Sequence, residues 1–178
     1  IGLAASGMGN ISSFTAVNNT NAPQVATITV TPTYTNAGVT CSGTPIMFTI
    51  TVNPTPIVNP VLNQVVCNNS ATAAVNFTSP TTGGAIVYNW TNNNTSIGLA
   101  GAGTGNIASF TAINNTTAPV TATVTVTASY TNAGVTCVGA PITFTITVNP
   151  TPTMNAVANQ VVCNGSPTAS VVSVSYTH

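Results

Sequence analysis

The chain has 178 residues, no Lys, Arg, Asp or Glu, and a single histidine, His178, with 43% of its residues hydrophobic. Without carboxylates, basic side chains or an internal imidazole, no general acid–base pair, activated Ser or Thr nucleophile or carboxylate calcium site can be assembled. Counterion-release binding to nucleic acid needs Lys or Arg and is excluded on the same ground, so the chain is expected to be no enzyme and to hold no cofactor.

Low charge does not here imply disorder. The chain is rich in Val, Ile and Thr, whereas disordered chains are poor in β-branched residues. Solubility must rest on hydroxyls and amides, and the usual electrostatic guard against association is missing. No run of about 18 apolar residues occurs, so no membrane insertion is expected.

In chain order, the opening "IGLAASGMGNISSFTAVNNT" returns at Ile97 as "IGLAGAGTGNIASFTAINNT". The offset of 96 holds for about 51 identical positions among the first 70, and it fades after Ser166. Such a period is of domain size. It predicts the C-terminal part of one repeat at 1–54, a complete repeat at 55–150 and the N-terminal part of a third at 151–178, the whole being a window on a longer array. "VNPTP", at 52–56 and 148–152, reads as a short, stiff, proline-bearing link between units.

Within 55–150, "QVVC", "AAVNF" and "AIVYNW" read as short strands, with Gly83 and Gly84 as the turn between the last two. Ile86, Tyr88 and Trp90 share one face. Trp90 reads first as a core tryptophan, and second as a platform for stacking a sugar. "SIGLAGAGTGN" follows as glycine-punctuated edge structure, and "IASFTAI" as another strand. "VTATVTVTASY" alternates strictly, with Val124 and Val126 on the apolar face and threonines opposite. "ITFTITV" does the same with Phe144 and Ile146. Between these two, "TNAGVTCVGA" reads as a long hairpin loop with Asn132 and Gly134 suited to positive φ. About seven short strands and no helix predict an all-β, immunoglobulin-like sandwich for each repeat.

Four cysteines, Cys41, Cys67, Cys137 and Cys163, admit three pairings. Cys67–Cys137 would staple one repeat, leaving Cys41 and Cys163 to pair beyond the window. Cys41–Cys67 with Cys137–Cys163 would bridge neighbours instead. The first is preferred, and a disulfide in each repeat implies an extracellular protein. Zinc is not expected, since no C-x-x-C or matching histidine occurs. Asn-x-Ser/Thr triplets at Asn10, Asn76, Asn89, Asn93 and Asn114 follow from composition, "GAGTGN" precedes no helix and is no phosphate loop, and His178 is expected to be inert.

"YNWTNNNTSIGLA", "FTAINNTTAPVTATVTVT", "GVTCVGAPITFTITVNPTP" and "NQVVCNGS" resemble the PKD-like, immunoglobulin-fold repeats of giant Bacteroidetes surface proteins. These include gliding-motility adhesins and other cargo of type IX secretion. "WTNNN" stands where the better-known pattern carries the acidic "WDFGDG". The resemblance implies a stalk or adhesin on the outer cell surface, without catalytic residues. The expected function is therefore a structural repeat of a long extracellular fibre. The alternatives are a subunit of a self-assembling filament and a glycan-binding module. The expected partners are neighbouring repeats, identical chains, or surface glycans.

Overall fold

Alternating β-branched and small residues draw most of this chain into extended backbone. The structure is a computed structural model and describes residues 1–172. Its strands are β1 (Gln24–Val30), β2 (Thr33–Asn36), β3 (Val39–Ser42), β4 (Ile46–Val52), β5 (Gln64–Cys67), β6 (Ala85–Asn92), β7 (Ala102–Thr104), β8 (Val120–Asn132), β9 (Val135–Val138) and β10 (Ile142–Asn149). A 3-10 turn, Thr95–Ile97, is capped by the Asn94 side chain, which accepts from the N–H of Ser96. Among the described residues no helix is long and apolar enough to cross a membrane.

The strands form one six-stranded sheet and two two-stranded ones. The large sheet runs β5-β10-β8-β6-β7, with β9 also paired to β8. β8 and β10 are antiparallel, with Val124 opposite Phe144 and Ala122 opposite Ile146. β5 joins the other edge of β10 in parallel, Cys67 opposite Asn149. The small sheets are β1 with β4 and β2 with β3, both antiparallel.

Two units divide the chain. The first comprises Ile1–Asn59, Thr78–Asn89 and Thr127–Pro141; the second takes Pro60–Phe77, Trp90–Val126 and the chain from Ile142 onward. In the second unit the apolar face of β8 and β10 is covered by Val75, Phe77, Ile97, Leu99, Ile107 and Ala112, all buried. Phe77 lies tilted on Phe144, with ring centroids 6.4 Å apart. In the first unit Pro54 and Pro56 are fully buried, and Pro56 packs directly on Gly139.

The expected tandem immunoglobulin-like sandwich with a 96-residue period is not what forms. The large sheet is open and mixed, and the sequence repeat does not give two equivalent domains. The covering layer explains the difference: it never becomes a second sheet. Residues 69–77 and 107–113 meet through isolated bridges, Ala71 with Thr111 and Val75 with Ile107, and scattered backbone bonds that do not extend into paired strands. Side chains take some of the backbone donors in between. Asn106 Oδ1 accepts the N–H of Phe77 (2.9 Å), and Thr72 Oγ1 accepts that of Phe110 (3.1 Å).

The expected disulfide is also corrected: all four cysteines are free. Cys67 ends β5 beside Asn149 in the second unit, whereas Cys137 stands on β9 opposite Tyr130 in the first. Each is committed to a separate strand pairing, with no second thiol beside it.

Candidate interaction surface

β1 and β4 carry the same alternation as β8 and β10, in the same register. Ile28 faces Phe48 and Ala26 faces Ile50, as Val124 faces Phe144 and Ala122 faces Ile146. Their surroundings differ. Phe48 is 43% exposed where Phe144 is 2%, and Tyr34 is 71% exposed where Tyr130 is 0%. Val30, Ile46 and Met47 are exposed too. Residues 1–18 supply part of a cover, and Val17 donates its N–H to Ile1 O (3.1 Å) as Ile113 does to Ile97 O (3.0 Å). On the second unit, residues 69–75 lock that cover down. Asn69 donates to Ala112 O, Ala112 to Ser70 O and Val75 to Ile107 O, each within 3.0 Å. No described segment does this for residues 11–16, and Ile11 and Val17 stay exposed.

The edges of the β1–β4 sheet are unpaired among the described strands. Free edges present rows of N–H and C=O groups, which proteins ordinarily guard with Lys or other charges. Here no charged side chain exists to do so. Exposed apolar side chains such as Val30, Ile46 and Phe48 beside an unguarded edge are the pattern of a protein–protein contact. Beside it lies an open hollow of about 320 Å³, lined by Pro32, Thr33, Tyr34, Cys41, Ser42 and Gly43. Gly43 donates to Pro32 O (2.8 Å) as its counterpart Gly139 does to Ala128 O (2.9 Å), but at Gly139 the space is filled by Pro56.

The residues singled out in the sequence lie elsewhere. Trp90 is buried on β6, where Ile86 and Tyr88 are half-buried, and burial pushes the Tyr88 phenol above its ordinary value. Val124, Val126 and Ile146 are fully buried and Phe144 nearly so. Cys41, Cys67 and Cys163 are exposed and Cys137 half-buried. His178 lies outside the described residues. No group of three potential metal ligands occurs among the described residues. Sequence reasoning missed two buried asparagines. Asn114 donates to Ala118 O (2.8 Å) and Val148 O (2.7 Å), and Asn92 donates to Leu99 O (3.1 Å). The signal was present, since Asn-Asn-Thr at 114–116 is an Asx-turn signature, and Asn114 Oδ1 accepts from Thr116.

No family model, curated protein or solved structure matches this chain. The expected membership in PKD-like surface repeats is therefore corrected: no match supports it, and the open, mixed sheet departs from it. The adhesin-stalk reading, with its gliding and secretion associations and the filament and glycan-binding readings beside it, rested on a string of sandwich beads. That architecture is absent, and those readings fall with it.

Proposed function

We propose that this chain is a non-catalytic protein that works by association, with β1–β4 as the contact surface and further copies of the same chain as the partner. The observation carrying this is the contrast between strand pairs of nearly one sequence: Phe144 on β10 is covered and its counterpart Phe48 on β4 is bare, with Ile46 of β4 and Val30 of β1 exposed beside it. Covering a Val, Ile or Phe contributes roughly 1.5–3 kcal/mol, so several such side chains left in water are a substantial drive to association. Absence of catalysis belongs to the proposal and is supported by composition, which offers no acid, base or activated nucleophile.

Sedimentation equilibrium of the 178-residue chain tests it. Mass should rise with concentration, and Phe48→Ser with Ile46→Ser should hold the chain monomeric. Wild-type chain that stays monomeric at every concentration overturns the reading. An extracellular setting is the second part of the proposal. It is supported by the lack of Lys and Arg, which leaves no bond for trypsin-like proteases. Antibody staining of intact, unpermeabilised cells checks it, and labelling only after permeabilisation would refute it.

A further inference from the structure

We infer that the threonine face of β8 and β10 is a binding surface whose partner is crystalline water, the growing face of ice. This face is the side of the large sheet away from Phe144 and Ile146, and it is independent of the β1–β4 contact. Thr121, Thr123 and Thr125 of β8 stand opposite Thr147, Thr145 and Thr143 of β10, three complete pairs in an unbroken register from Ile142 to Val148. Thr121 and Thr143 are exposed and the other four half-buried. On the flanking strands, Thr91 of β6 and Val65 of β5 are exposed.

The ladder sets the spacing. Thr123 and Thr145 turn their N–H groups away from each other, onto Asn93 Oδ1 (2.7 Å) and Asn63 Oδ1 (2.8 Å). The threonine pairs are therefore the non-hydrogen-bonded ones, with Cα atoms about 4.5 Å apart and side chains at their closest. Along each strand, residues of one face recur at about 6.8 Å. Both repeats lie near those between oxygens on the prism face of hexagonal ice. β-Branching holds each χ1, and the hydroxyls of Thr121 and Thr147 are hydrogen-bonded at 2.9 Å, so hydroxyls and methyls are ordered before any contact. Each hydroxyl can both donate and accept, as a lattice water does.

Charge points the same way. A charged side chain keeps a hydration shell that does not fit a neutral crystal of water, and this chain has no Lys, Arg, Asp or Glu. Composition alone does not make the array. On β1 and β4 the matching positions are Val25 opposite Thr51, Thr27 opposite Thr49 and Thr29 opposite Met47, one complete pair where β8 and β10 have three. Sheet twist confines a lattice match to a few residues. A small anchor of this kind suffices, because ice held at scattered points grows as curved fronts between them. Curvature lowers the growth temperature and leaves the melting point in place.

Thermal hysteresis, the gap between melting and growth of an ice crystal, tests this on the intact 178-residue chain. Wild type should open a gap and facet the crystal. Thr123→Lys should shrink the gap about tenfold or more, since it puts a strongly hydrated ammonium in the middle of the array. Ala108→Lys brings the same charge to an exposed position on the layer that covers the opposite face, and should leave the gap unchanged. Thr145→Ser keeps the hydroxyl but frees χ1 and removes a methyl, and should lower the gap about twofold or more while the urea midpoint stays close to wild type. Round crystals without a gap from the wild-type chain would overturn the inference. So would a full gap in Thr123→Lys or Thr145→Ser, or equal losses in Thr123→Lys and Ala108→Lys.

Discussion

Gly103 lies against the indole of Trp90 so closely that a Cβ added there would overlap the ring. Trp90 is buried, and relief would require moving a large side chain in packed surroundings. Gly103→Ala should therefore cost about 1–3 kcal/mol, the usual range for overpacking, read as a lowered urea midpoint with unchanged slope. Tyr130 poses the opposite case. Its ring presses on Gly84, where an added Cβ would stand 2.5 Å from Cζ, yet its hydroxyl is buried without a partner among the described residues. An unsatisfied buried hydroxyl carries its desolvation cost with no return. Tyr130→Phe should be neutral or stabilising by up to about 1 kcal/mol, and a clear loss of stability would mean the hydroxyl has a partner.

At the scale of elements, the β8–β9 hairpin turns on two residues, Ala133 at φ 48° and Gly134 at φ 77°. Both central residues of such a turn need positive φ, for which Asn-Gly is the preferred pair. Alanine in that region costs about 1–2 kcal/mol. Ala133→Asn should raise the unfolding free energy by about 0.5–1 kcal/mol, and Gly134→Ala should lower it by about 1 kcal/mol or more, both read from urea titrations. From the sequence, residues 131–140 read as a long loop with Asn132 at positive φ. Instead Asn132 is paired with Val135 and the loop is itself a strand. β8 and β10 were legible because their alternation runs long and unbroken. "AAVNF" and "IASFTAI" have strand composition too, but Asn106 and Thr72 intercept the bonds a ladder would use. The candidate surface was not legible at all. β1 and β4 alternate as β8 and β10 do, and only the segments packed above each pair decide which face is covered.

The whole molecule has an unusual relation to pH. Acid unfolding ordinarily follows the protonation of paired carboxylates, and this chain has no Asp or Glu side chain to protonate. Nor has it Lys or Arg whose pairing salt could screen. Its stability should be nearly flat between about pH 4 and pH 8, and insensitive to sodium chloride up to about 0.5 M. The alkaline side is different, because burial raises the Tyr88 phenol above its ordinary 10.0. Unfolded chain then releases that proton first. Above about pH 10 the unfolded state binds fewer protons than the folded one, so stability declines as pH rises through the raised folded value. Urea midpoints across this range provide the check, with Tyr88→Phe as the control that should flatten the alkaline limb. A loss of stability on the acid side would contradict the account, since apart from the terminal His178 the sequence contains no side chain that titrates there.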